Sequence, residues 1–150
     1  MELILWRHAD AEPGVDDLER KLTAKGRKQA ARVAGWLHAH LPATFSVYSS
    51  PAKRALQTAK ALDAPVTVSE LLAPEASAAD ILRAVDWPKR EDEVVIVVGH
   101  QPTLGRVVAR LLGTSGELSV QKGALWWIEA RDKTGKPAVL VRAVIAPDFA

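Results

Sequence analysis

Val94-Val95-Ile96-Val97-Val98-Gly99-His100 is the stretch that most constrains what this chain can fold into. Its apolar part is β-branched throughout and has no polar side, so it reads as a strand buried on both faces. Such strands belong to parallel sheets covered by helices on both sides. A second apolar run predicts a strand over residues 2–6, and Arg7-His8 follow where that strand should end. The chain has four histidines, and two of them, His8 and His100, stand at predicted strand ends. An open α/β sheet binds its ligands at the carboxyl ends of its strands, so both imidazoles are placed where a ligand would sit.

Helix signals alternate with the strands. Thr23 predicts the N-cap of a helix from Ala24 to Leu41, with Ala30, Val33, Ala34, Leu37 and Leu41 as its apolar stripe. Phe45 to Ser49 reads as a short strand. Ser50-Pro51 has the form of an N-cap and a first-position proline, opening a helix to about Leu62 that carries Arg54 in its first turn. Pro65 to Val68 gives another strand, and Ser77 with Asp80 predicts a capped helix through Val85. Trp87-Pro88 and the charged run Lys89 to Glu93 read as a loop. Pro102 starts a helix to Leu112, with Gly113 suited to its C-terminal cap. Ala124–Ala130 and Ala138–Ile145, joined by the turn-rich Asp132 to Pro137, predict a hairpin. The order implies an α/β fold: a three-layer α/β/α sandwich whose mostly parallel central sheet has an antiparallel end. At 150 residues a single domain spanning 1–150 is expected.

Composition excludes several classes of function. Twenty basic and eighteen acidic residues are spread along the chain for a net charge of +2, with no basic face for nucleic acid. There is no apolar run long enough for a membrane span, and no secretory leader is read at the N-terminus. The absence of cysteine rules out disulfide and thiol chemistry and fits a cytoplasmic location. His38 and His40 lie two apart, cannot share a helical face, and read as solvated residues rather than metal ligands. No metal and no cofactor is expected.

Four residues suit one chemistry. Arginine presents a planar, permanently charged fork that matches phosphate oxygens, and a neutral imidazole offers a nitrogen lone pair near neutral pH. Arg7, His8, Arg54 and His100 at neighbouring strand ends would combine cations for the equatorial oxygens with an in-line nucleophile, as phosphoryl transfer requires. Ser49 and Ser50 could also reach a phosphate, although capping is the simpler role for Ser50. Thr23 and Gly26 fit helix starting and close packing, and Gln57 and Thr58 read as structural, with support of the phosphate loop as the alternative. Trp126 and Trp127, adjacent on a strand, should face opposite sides. Trp6, beside the Arg-His pair, is a candidate to line the site.

The motifs resemble one family. Leu5-Trp6-Arg7-His8-Ala9-Asp10-Ala11-Glu12 is similar to the Arg-His-Gly/Ala signature of the histidine phosphatase superfamily, which has the phosphoglycerate mutase-like fold. Leu22 to Ala30 resembles its L-T-x-x-G-x-x-Q-A helix start, Tyr48 to Ala59 its S-S-P-x-x-R-A-x-Q-T-A segment, and Gly99-His100-Gln101-Pro102 its G-H-x-P segment. The short length and the compact stretch from Thr58 to Val94 look most like the SixA-type phosphohistidine phosphatase branch. The resemblance implies that His8 is the transiently phosphorylated nucleophile. It also implies that Arg7, Arg54 and His100 bind the phosphoryl group, and that a backbone carbonyl sets the tautomer of His8. It implies a metal-independent, two-step hydrolysis, with phosphohistidine in a partner protein as the expected substrate. A small-molecule phosphomonoesterase or a non-catalytic phosphate-binding module are the alternatives. For a proton donor, Glu12, Glu70 and Glu75 are candidates, with Asp10 beside them. A labile P–N bond depends less on such an acid than an ester does.

Overall fold

The computed structural model describes residues 1–91, 93–132 and 137–150. Among them, strands and helices alternate as β1 (Glu2–Arg7), α1 (Ala24–His40), β2 (Ser46–Ser49), α2 (Lys53–Lys60), β3 (Val66–Val68), α3 (Ala78–Ala84), β4 (Val94–Gly99), α4 (Thr103–Leu112), β5 (Leu125–Asp132) and β6 (Pro137–Ile145). The strands form one sheet in the order β3-β2-β4-β1-β5-β6. The first four of these run parallel, and β5 and β6 add the antiparallel end. This is the α/β architecture that the alternation implied.

The β4 run lacks a polar side because helices cover both faces of the sheet, and every one of its residues is buried. Alternate side chains go to opposite layers. Leu3, Leu5, Val95 and Val97 pack with Ile81 of α3 and with Leu104, Val107 and Val108 of α4. Ile4, Trp6, Ile96 and Val98 pack with Val33 and Leu37 of α1 and with Ala55 and Ala59 of α2. Trp6 is therefore a core residue rather than a lining one: it is fully buried, and its indole N–H donates to the Gly123 carbonyl at 2.9 Å. Trp127 is buried and Trp126 half-buried on the opposite face.

Local signals hold at most helix ends. Thr23 Oγ1 accepts from the Gly26 N–H at 2.9 Å, and Ser77 and Asp80 form a full capping box. Gly113 closes α4 in the left-handed conformation, φ 66°. One expectation needs correcting. The second helix does not open at Ser50-Pro51 but at Lys53, behind Ala52, which makes no side-chain cap; it ends at Lys60. Ser50 Oγ does accept from the Ala52 N–H at 3.1 Å, but its other contact is to His100, across the sheet. Pro102 stands just before α4 rather than within it. The β5–β6 pairing is as expected; Lys133 to Lys136 of its connection, and Asp92 of the loop before β4, lie outside the described residues. Among the described residues no helix is long and apolar enough to cross a membrane.

Strand register sets the geometry that follows. Arg7 pairs with Gly99 and Ser49 with Val98, so β1, β4 and β2 end side by side.

Candidate active site

His8, His100 and Ser50 are the residues immediately after those three strand ends. The ladder continues through them, with His8 N–H donating to the Gly99 carbonyl at 3.0 Å and Ser50 N–H to the Val98 carbonyl at 3.1 Å. Both imidazoles are buried, their ring centroids 5.2 Å apart. Arg7 closes β1, and Arg54, 4% exposed, enters from the first turn of α2.

His8 is held by its neighbour. Its Nδ1 lies 2.8 Å from the Ala9 carbonyl oxygen. A carbonyl only accepts, so Nδ1 carries the proton and a neutral ring keeps its lone pair on Nε2. Ala9 is anchored in turn, its N–H donating to Thr58 Oγ1 at 3.1 Å, while the Thr58 hydroxyl donates to the Arg54 carbonyl at 2.8 Å. Gln29 and Gln57 accept from the N–H groups of Asp10 and Leu22 and tie down the loop after β1. Burial pushes the His8 imidazole from 6.5 down to about 4; the Ala9 bond opposes this, and the charges of Arg54 and Arg7 reinforce it. His100 is pushed down to about 3, by burial first and then by His8 and Arg54. Both rings are neutral at pH 7.

The guanidiniums supply the positive charge. Arg54 donates from Nη1 to the Asp17 carbonyl at 2.6 Å and from Nη2 to Asp17 Oδ2 at 3.1 Å, with Nη2 3.4 Å from His100 Nδ1. Arg7 Nη1 donates to the Val120 carbonyl at 2.9 Å. Burial and the nearby Arg54 lower the pKa of Arg7, from a starting value so high that it stays charged. Among the described residues, the buried side-chain nitrogens and oxygens without a hydrogen-bond partner are Arg7 Nε and Arg54 Nε. Two unmatched guanidinium donors beside an unprotonated imidazole nitrogen suit an anion with several oxygens.

The four residues expected from the sequence, Arg7, His8, Arg54 and His100, are brought together. The proposed acids are not. Glu12, Glu70 and Glu75 are all exposed, and among the described residues none of them bonds to the cluster. Asp10 pairs with Lys122 at 2.9 Å and with Thr23 at 2.8 Å. The carboxylate that does reach the cluster is Asp17, which sequence reasoning missed; hydrogen bonds from Arg20 and Arg54 hold it below the usual carboxylate range, so it stays an anion. Ser50, read as a cap, and Thr58, read as structural, also touch the site. His38 and His40 are exposed at the end of α1, where His40 stacks on Trp36. Among the described residues no group of three or more His, Asp or Glu side chains is placed to hold a metal ion.

Known proteins are similar to this chain in sequence and in fold. The sequence profile of the histidine phosphatase superfamily (branch 1) matches residues 3–74. An uncharacterized protein of Mycobacterium tuberculosis is 38% identical over 117 residues, 73% of this chain and 72% of that one. A phosphohistidine phosphatase SixA homolog of Haemophilus influenzae is 30% identical over 135 residues, 79% of this chain and 82% of that one. The solved structure of the protein histidine phosphatase SixA complexed with tungstate matches 99% of this chain and 98% of its own, with a TM-score of 0.83 at 24% identity. The chain therefore belongs to the histidine phosphatase superfamily, in its SixA-type branch, and is a phosphatase.

Proposed function

We propose that this phosphatase removes the phosphoryl group from phosphohistidine in a partner protein, through a covalent phosphohistidine on its own His8. The observation that carries the mechanism is the His8 Nδ1–H bond to the Ala9 carbonyl at 2.8 Å, which leaves Nε2 unprotonated beside two guanidiniums. In the first step the Nε2 lone pair attacks phosphorus, a P–Nε2 bond forms, and the P–N bond to the substrate imidazole breaks. The departing imidazole takes its proton from solvent. In the second step water attacks phosphorus and the P–Nε2 bond breaks. Inorganic phosphate leaves, keeping the protons of the attacking water, and His8 returns to its neutral form. Arg7, Arg54 and His100 offset the charge on the equatorial oxygens throughout.

The substrate assignment rests on the proton donor. An alkoxide leaving group needs a positioned acid, whereas a phosphorylated imidazole leaves readily from its labile P–N bond. The carboxylate that joins this cluster, Asp17, is engaged by Arg54 and held as an anion. The SixA names of the relatives point the same way.

Incubating the protein, alongside its His8→Ala variant, with a phosphohistidine-bearing protein and with an aryl phosphate tests both parts. Faster turnover of the phosphoprotein, abolished by His8→Ala, is expected. A preference for the aryl ester would move the substrate to small phosphomonoesters, and turnover that survives His8→Ala would refute the covalent mechanism. No turnover of either by the wild type would leave a phosphate-binding module.

A further inference from the structure

We infer that Ser50 is a positioning residue: its hydroxyl sets the tautomer of His100 so that the ring presents Nδ1–H toward Arg54 and the phosphoryl group. The starting point is a short contact, Ser50 Oγ to His100 Nε2 at 2.7 Å, between two buried side chains. Either atom could donate. A count of donors and acceptors decides between them.

Ser50 Oγ already accepts the Ala52 N–H at 3.1 Å. A hydroxyl carries one proton, which must find an acceptor when buried. Among the described residues, the acceptor that Ser50 Oγ meets is the Nε2 of His100. If His100 were protonated on Nε2, that nitrogen and the Ala52 N–H would both donate to Oγ, and the serine proton would be stranded in a fully buried position. With Nε2 unprotonated, Ser50 donates to it, the Ser50 proton is satisfied, and the one N–H left to be matched is Nδ1–H, on the side of the ring that faces Arg54.

The consequence falls on the other side of the ring. Arg54 Nη2 lies 3.4 Å from His100 Nδ1. In the Nε2–H tautomer this would be a closed pair, the guanidinium donating to the ring, and His100 would have no N–H for a ligand. In the Nδ1–H tautomer two donors face one another at 3.4 Å, and neither can accept from the other. They are reconciled by an acceptor that both can reach, which a phosphoryl oxygen supplies. Ser50 thereby makes His100 a donor to the substrate rather than a partner for Arg54. The inference rests on the phosphatase reading for its purpose, but the tautomer is a property of the free protein.

Two-bond ¹H–¹⁵N correlation spectra of the ¹⁵N-labelled full chain at pH 7 read the tautomer directly, because protonated and unprotonated ring nitrogens differ widely in shift. His100 is assigned by its loss in His100→Gln. The expected result is protonated Nδ1 and unprotonated Nε2 in the wild type, moving toward the Nε2–H form in Ser50→Ala and retained in Ser50→Thr, which keeps a hydroxyl. Binding of tungstate should weaken about 100-fold in Ser50→Ala, comparable to the loss of one oxyanion donor, and much less in Ser50→Thr. A wild-type His100 protonated on Nε2 overturns the proposal, as does Ser50→Ala leaving both tautomer and tungstate affinity unchanged. Because the spectra involve no turnover, a failed phosphatase assay with the expected tautomer refutes the proposed substrate and not the role of Ser50.

Discussion

Arg54 is gripped by a residue 37 positions away in the chain: Nη1 donates to the Asp17 carbonyl and Nη2 to Asp17 Oδ2, at 2.6 and 3.1 Å. The Asp17 side chain is 53% exposed, so its removal should change stability by no more than about 0.5 kcal/mol. It should instead loosen the fork that faces the phosphoryl group. Asp17→Ala is expected to reduce kcat/KM by roughly tenfold, about 1.4 kcal/mol of transition-state binding. Arg54→Lys, which keeps the charge but loses the fork, should lose more. Steady-state kinetics with an aryl phosphate, set beside urea unfolding, separate the two effects. An Asp17→Ala variant that unfolds early but turns over normally would contradict this account.

The two buried imidazoles make stability depend on pH. In the unfolded chain each titrates near 6.5; in the folded protein His8 is pushed down to about 4 and His100 to about 3. Between these values the unfolded state binds more protons, so stability rises with pH there. The contribution is fully present above about pH 7 and is lost as pH falls from 6.5 toward 3–4, by a few kcal/mol in all. The melting temperature should follow this course, with a shallower slope in His8→Gln. A flat profile from pH 7 to 4 would show that the rings titrate normally.

The same displacement governs the rate. The kcat/KM profile reports the free enzyme, in which His8 must be neutral to attack. After correction for titration of the substrate phosphate, the acid limb should fall near pH 4 rather than near 6.5. A limb at the ordinary histidine value would mean that the nucleophile is solvated.

Two glycines of α1 predict opposite effects of the same substitution. A Cβ on Gly26 would stand 2.0 Å from the Asp10 carbonyl oxygen, and one on Gly35 would meet nothing within 4 Å. Gly26→Ala must push α1 away from the loop that carries Ala9 and Asp10. It should destabilise by about 1–3 kcal/mol and lower activity as well. Gly35→Ala should stabilise by up to about 1 kcal/mol and leave activity alone. Chemical denaturation with parallel rate measurements checks both.

Much of this could be read from residue order. The β-branched run of β4 identified a two-sided sheet, and Thr23, Ser77 and Gly113 marked helix ends through local bonds visible in their neighbours. Arg7, His8, Arg54 and His100 were recognisable by type and by position at strand and helix ends. What stayed hidden is long-range. Ser50 carried the signature of a cap because capping is local, while its bond to His100 depends on β2 lying beside β4. Asp17 sits in an acidic loop, where nothing in the order of residues says which carboxylate folds back on Arg54. Trp6 was placed beside the site by its number, but strand alternation sends it to the core.

The three strand ends that hold the site, on β1, β2 and β4, are neighbours in the sheet but are joined by long crossovers rather than tight turns. No pair of elements adjacent in sequence can create the site alone, since His8, Ser50 and His100 meet only when β4 has slotted between β1 and β2. Pairings of this range are late and slow to form. Recovery of enzymatic turnover after dilution from denaturant is thus a clock for insertion of the central strand, and should trail the return of helical signal.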